Sequence, residues 1–307
     1  MKILINSPLF GVLAALLAAI CWSVAVIIFK SASRFLSPLL IVVLKNSIAT
    51  FCFIILFFIF EIPFWVPTLD TSDYYKIILS GVLGMGLADL LFIRALSQIG
   101  ANRVAIVNCF EPGVVYIFSI LMLGSFLTPW QLFGFMIAVV ALLIISYEKD
   151  DTEIDSTIKK RGVLTQVFAV VLSGFGIVLI KPVLSKLNTS IASQLWVTFF
   201  RLFPGFVFTW LVFVFQKNKY QLLAPLKNKL TCIKIIIGSG LGTFVALSFW
   251  IIGYANIQKP PVASILGQTS VLFIIVLSYF FLNEKISKAK LGAMGVAIFG
   301  VLCIVFN

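Results

Sequence analysis

Two acids, Asp89 and Glu111, stand inside long apolar stretches of this chain. On insertion scales a charge at the centre of a bilayer costs about 2.5–3.5 kcal/mol, so such a group faces a wet cavity or a partner. Glu111 is followed by Pro112, which lacks a backbone N–H and leaves the Asn108 carbonyl without its usual helical partner. Unpaired backbone at that depth is tolerated where it lines a cavity or a helix contact. Glu111 and Asn108, with Pro112 as the kink, are therefore the leading candidates for a solute or proton site. Pairing of Glu111 with Lys45 or Arg201 as packing is the competing reading. Lys45 and Arg201 could instead attract an anionic or zwitterionic solute, by a point charge or a bidentate fork. Asp89 has Arg94 five positions on, which is not the four-residue spacing of a same-face pair. Gln268 gives the later part of the chain a neutral polar group at a depth similar to that of Glu111. Trp22, Trp196 and Trp250 either wall a cavity or serve as packed bulk, whereas Trp65 and Trp130 fit an interfacial aromatic belt.

The composition sets the medium in which these groups act. Of 307 residues, 61% are hydrophobic and 11% charged, and the mean hydropathy is +1.14. Soluble domains are closer to 45–50% apolar and about 25% charged, so this is the composition of a bilayer protein. There is no histidine, which removes the commonest general base and zinc ligand. The five cysteines lie in apolar runs without CxxC spacing and predict free thiols, with neither a disulfide framework nor a metal site. No GxxxxGK[ST] loop is present for direct use of ATP. No cofactor and no nucleic-acid partner is expected, and the basic excess of 23 to 11 reads as loop charge that sets orientation.

A helix crossing a bilayer needs roughly 20 apolar residues, and about ten such runs occur. They lie near 9–29, 39–60, 77–97, 103–124, 130–147, 162–181, 192–215, 233–254, 262–282 and 288–306. Continuous apolar runs exclude a porin-like barrel. The first run is too long for a signal peptide and is read as a retained span. Two connections are long: Glu61–Lys76, and the charged stretch 148–161, which divides the chain.

Shifting the chain by 151 residues aligns Gly11-Val12-Leu13 with Gly162-Val163-Leu164 and Lys30 with Lys181. A shift of 158 aligns Leu83-Gly84 with Leu241-Gly242 and Gly134 with Gly292. The shared order predicts two five-helix repeats, 1–147 and 162–307, joined by the linker 148–161. Five is odd, so the repeats must be inverted, and equivalent loops do carry opposite charge bias. Ser125–Pro129 has no Lys or Arg, while its counterpart holds Lys285, Lys288 and Lys290. The positive-inside rule then places the linker side in the cytoplasm and both termini outside. Lys30 and Lys181 read either as snorkelling anchors at span ends or as symmetric gate charges.

Several segments are similar to the EamA branch of the drug/metabolite transporter superfamily. The opening span resembles it in Cys21-Trp22-Ser23-Val24-Ala25 leading to Lys30, and the third in Gly86 through Leu96 followed by Ile99-Gly100-Ala101. Asn108-Cys109-Phe110-Glu111-Pro112 resembles the fourth span, and Leu282-Asn283-Glu284-Lys285 with Lys290-Leu291-Gly292 the segment before the last helix. Departures are Ser125-Phe126 in place of Gly-Glu, Asn283 in place of glycine, and Lys45 in place of arginine. The resemblance implies an all-α, ten-helix, inverted-repeat integral membrane carrier that moves small metabolites, often outward, through a central cavity. The expected function is thus a secondary transporter in the cytoplasmic membrane that exports an amino acid-like or other polar solute by alternating access. Proton coupling through Glu111 and uncoupled diffusion both remain open. A flippase for lipid-linked substrates on the same scaffold is the alternative, and an intramembrane enzyme lacks the necessary acids and histidines.

Overall fold

The structure is a computed structural model that describes residues 8–66, 68–146, 155–187, 190–282 and 288–306, and among these every regular element is helical. Residues 147–154, which include the first half of the linker, and the stretch 283–287, with Asn283, Glu284 and Lys285, lie outside the described residues. Helices α1 (Pro8–Ala32) and α2 (Pro38–Ile59) are joined by a short turn, in which Ser37 caps the Leu40 amide and Pro38 stands in the first turn. Next come α3 (Thr71–Ser80), a π-helical stretch (Gly81–Ala88) and α4 (Asp89–Asn108), then α5 (Glu111–Leu123) and α6 (Pro129–Ser146). The later part runs α7 (Ser156–Lys186), α8 (Ile191–Val214), short α9 (Lys219–Leu223), a 3₁₀ turn (Ala224–Lys227) and α10 (Lys229–Ser239). A second π-helical stretch (Gly240–Ala246), α11 (Leu247–Asn256), α12 (Pro260–Gln268), α13 (Ser270–Leu282) and α14 (Lys288–Val305) complete it.

Among the described residues, seven continuous helical spans are long and apolar enough to cross a membrane, and three shorter apolar helices, Pro129–Ile144, Pro260–Ile274 and Leu291–Val305, accompany them. Several predicted boundaries move. The third apolar run starts at Thr71 rather than 77, because Asp70 and Asp73 form a reciprocal capping box that starts the helix inside the expected loop. It ends at Gly100, whose φ of 77° breaks helical geometry before the chain turns into the next span. The sixth run extends to 156–186, well beyond 162–181. Lys181 is therefore not at a span end and does not snorkel. It is 6% exposed, and its ammonium donates to the carbonyls of Tyr254 (2.6 Å) and Ile257 (2.5 Å) at the end of α11. Lys30, its sequence counterpart, is exposed in the last turn of α1, so the two lysines do not share a role.

Helix breaks recur at matching places in the two parts of the chain. The π-helical stretches begin at Gly81 and Gly240. The fourth apolar run breaks at Cys109-Phe110 and restarts at Glu111-Pro112, and the ninth breaks at Thr269. At each break a carbonyl loses its regular helical partner and a side chain can take it: the Asn46 amide donates to the Met85 carbonyl inside the first π stretch (3.0 Å). Backbones cross closely beside these breaks. A methyl group at Gly81 would come within 2.2 Å of the Arg201 carbonyl oxygen, and neither backbone can give. Gly81→Ala is therefore expected to lower stability by about 1–3 kcal/mol. Gly113→Ala, where nothing lies within 4 Å, is expected to leave it unchanged or raise it by up to about 1 kcal/mol. Thermal unfolding of the two variants in one detergent checks the contrast.

Candidate functional site

Helix α7 bonds several of the polar groups gathered around Glu111 and Arg201. Gln166 and Ser173 are seven residues apart, two turns along one face. Gln166 donates to the Asn108 side-chain carbonyl at 2.6 Å, and Ser173 donates to Glu111 Oε1 at 3.1 Å. One turn further, the Gly176 carbonyl accepts from the Ser80 hydroxyl at 2.6 Å, and Ser80 in turn accepts from Arg201 Nε at 2.8 Å. A glycine lets the backbones approach here: a Cβ at Gly176 would lie 3.3 Å from the Ser80 carbonyl oxygen.

Glu111 sits where both broken spans meet. It opens α5 just past the break at Cys109-Phe110, with Pro112 in the first turn, where the missing N–H is needed least. Its second carboxylate oxygen accepts from Gln268 Nε2 at 2.7 Å, and Gln268 ends α12 just before the other break. The acid and the amide, placed by sequence at comparable depth, thus bind each other directly. Neither Lys45 nor Arg201 pairs with Glu111 among the described residues; both of its partners are neutral donors.

Lys45 forms an ion pair with Asp89 instead, linking α2 to the start of α4, with the two side chains 2% and 17% exposed. Arg94 is exposed and takes no part. Arg201 is 1% exposed and lies 5.3 Å over the ring of Trp250, with Met85 Sδ 3.5 Å from Nη1. Trp250 also meets Tyr254 edge-on at 4.7 Å, and a Cβ at Gly267 would lie 3.4 Å from its indole nitrogen. Trp250 therefore stands between Arg201 and the Gly267-Gln268 turn that holds Glu111. Trp22 lies elsewhere, 5.9 Å from Phe92 and beside Gly242. Trp196 is buried and stacks on Phe200 at 4.1 Å, which is packing. Trp65 and Trp130 are exposed, as a belt requires.

Asn108, Glu111, Gln268, Arg201 and Trp250 are thus gathered around α7 and α12, Lys45 and Asp89 form a separate pair, and Trp22 stands apart from both. Sequence reasoning missed Gln166, Ser173 and Ser80; the seven-residue spacing of two polar residues in an apolar run was the available signal. It also missed a set of buried oxygens. Asn46 Oδ1, Thr50 Oγ1, Ser239 Oγ and Thr243 Oγ1 have no partner among the described residues. Thr50 and Thr243 leave unused the carbonyl four residues back that Ser47 and Thr198 take. Orphaned polar groups at this depth fit water or a solute between α2 and the second π stretch.

Comparison with known proteins agrees with this architecture. The model of the EamA-like transporter family matches the chain twice, over residues 9–147 and 160–306. A solved crystal structure superposes with a TM-score of 0.74 over 95% of both chains at 13% identity, which shows a shared fold. No curated protein matches.

The Lys45–Asp89 pair gives a direct test. Removing one partner leaves a buried charge uncompensated, at a cost of about 3–5 kcal/mol. Lys45→Met and Asp89→Asn are each expected to lose that much, and the double variant is expected to regain most of it. Unfolding of the four proteins in one detergent forms the cycle.

Proposed function

Because this chain belongs to the EamA-like transporter family, a multi-pass membrane transporter of the drug/metabolite type, we propose that it exports a small zwitterionic or polar metabolite, amino acid-like in charge, across the cytoplasmic membrane. It does so by alternating access between two inverted five-helix repeats, 1–147 and 162–307. The ten spans are the seven long ones and the three shorter apolar helices. Both termini face outward, since the basic side, with Arg34, Arg94, Lys159, Lys160, Arg161, Lys217, Lys227 and Lys229, is the cytoplasmic one under the positive-inside rule.

The observation that carries this reading is Glu111, held by neutral donors at the meeting of two helix breaks, with Arg201, tied through Ser80 to α7 one turn beyond Ser173, not ion-paired to it. A carboxylate and a guanidinium that leave each other uncompensated present complementary charges to a zwitterion: Arg201 takes its carboxylate as a fork, Glu111 its ammonium. Trp250, between them, supplies an apolar wall. Gln268 and Ser173 hold Glu111 when no solute is bound, and Asn108 with Gln166 extends the polar path. Lys45 and Asp89 act as a fixed pair linking α2 to α4, and Trp22 walls the side near Phe92. A proton on Glu111 would substitute for the departing ammonium, which couples export to proton entry.

Alternating access also requires contacts that break. On the outward side Lys186 joins Asp73 (2.6 Å) and Asp70 (3.2 Å), and Lys259 donates to Gln131 at 2.6 Å, each across the two repeats. The Asp73 backbone N–H, and then Lys186, hold the Asp70 carboxyl below its ordinary value of 3.8. A lowered folded value means that this contribution is complete above the unfolded value and is lost as pH falls through the lower one. The Asp70 contact of the outward latch is therefore expected to hold at neutral pH and weaken as pH falls below 3.8.

Two measurements follow. Proteoliposomes loaded with an equimolar mixture of amino acids are expected to release a subset of them, and Glu111→Gln is expected to cut that release by roughly tenfold or more, the scale of one lost charged contact. Equal release from the variant at matched incorporation removes Glu111 from the mechanism. In a cysteine-free background carrying Ser173→Cys, Lys186→Gln is expected to raise labelling by a membrane-impermeant maleimide from the outward side at neutral pH. Unchanged labelling overturns the latch.

A further inference from the structure

The connection between α8 and α10 has two opposed faces. Leu222 and Leu226 turn inward onto a buried cluster with Leu36, Ile93 and Phe213. Phe215, Tyr220 and Leu230 turn outward, with exposures of 82%, 79% and 61%. From Phe215 to Lys234 the chain carries five lysines and no acid. Two of them are committed to the protein: Lys219 donates to the Val214 carbonyl (3.0 Å) and Lys234 to the Ser31 hydroxyl (2.8 Å). Lys217, Lys227 and Lys229 are exposed and take no ion-pair partner among the described residues.

The segment joins two apolar helices, so it lies at the rim of the hydrocarbon. Its inward leucines fix its height and its outward aromatics are of the kind that settle among headgroups. We propose that Phe215–Leu230 is a docking surface for anionic lipid headgroups, with Lys217, Lys227 and Lys229 binding phosphate while Phe215, Tyr220 and Leu230 enter the acyl boundary. Lysines near a bilayer surface attract anionic lipid within about a Debye length, and solvated ammonium groups without an acidic partner among the described residues are free to do so. The rival occupant is the acidic run Glu148, Asp150, Asp151, Glu153 and Asp155 of the linker, which enters on the same side. Basic residues on this side outnumber those acids, and α7, which follows the linker, already places Lys159, Lys160 and Arg161 beside them. This proposal does not depend on the transport reading.

The test uses the full chain, cysteine-free, with Leu223→Cys carrying a bimane label, in nanodiscs of phosphatidylcholine alone or with about a third phosphatidylglycerol. Quenching by neutral acrylamide is expected to fall roughly twofold with the anionic lipid. It is expected to recover in about 0.5 M salt, where screening shortens the attraction to a few ångströms. The variant K217Q/K227Q/K229Q, checked for an unchanged elution profile, is expected to lose the lipid effect. Identical quenching in both lipids overturns the proposal, as does a triple variant that still responds. An effect that emerges only after E148Q/D150N/D151N/E153Q assigns the lysines to the linker and also overturns it.

Discussion

In an apolar interior every charge and every free backbone group must find its partner within the chain, because water is not there to supply one. The arrangement around α7 is a response to that constraint. Gln166, Ser173 and the Gly176 carbonyl serve Asn108, Glu111 and the Ser80–Arg201 pair in turn, and Lys181 closes the series on the carbonyl end of α11. The same helix that satisfies these groups therefore fixes where they stand relative to one another. Glycines make this feasible, since Gly81 and Gly176 let Arg201 and Ser80 approach where a methyl group would intrude.

The second organising feature is the repetition of helix breaks. A π stretch or a broken turn costs regular hydrogen bonds, and three of the four are used: Asn46 binds a carbonyl of the first π stretch, while Glu111 and Gln268 bind each other beside the breaks in the fourth and ninth runs. Were the repeats to move against each other as proposed, a site built from broken helices of both would change shape. Side chains on continuous helices would be carried along rigidly.

Charge is sorted by environment. Lys45 and Asp89 neutralise each other in the interior, Asp70, Asp73 and Lys186 join the repeats at one end, and the unpaired lysines of the α8–α10 connection sit at the other. Buried pairs specify geometry, because the interaction of two charges strengthens as water is excluded.

Membrane residence, the positions of most apolar spans, the repeat and the helix break at Glu111-Pro112 were legible in the sequence, because they depend on composition, run length and the missing N–H of proline. The capping box that starts α3 at Thr71 was legible in principle, in Asp70 and Asp73, but was masked by a loop-like composition. Partner choice was not legible. Nothing in the spacing of Lys45, Asp89, Glu111 and Arg201 says that the lysine takes Asp89 while the arginine turns to Ser80 and Trp250. Lys181 looked like the equal of Lys30 until α7 ran five residues past it and buried it against α11. Apolar patterning determines which segments enter the bilayer, since transfer free energy sums along the chain; only tertiary packing decides which polar groups meet, since hydrogen bonds and ion pairs depend on distances between segments far apart in sequence.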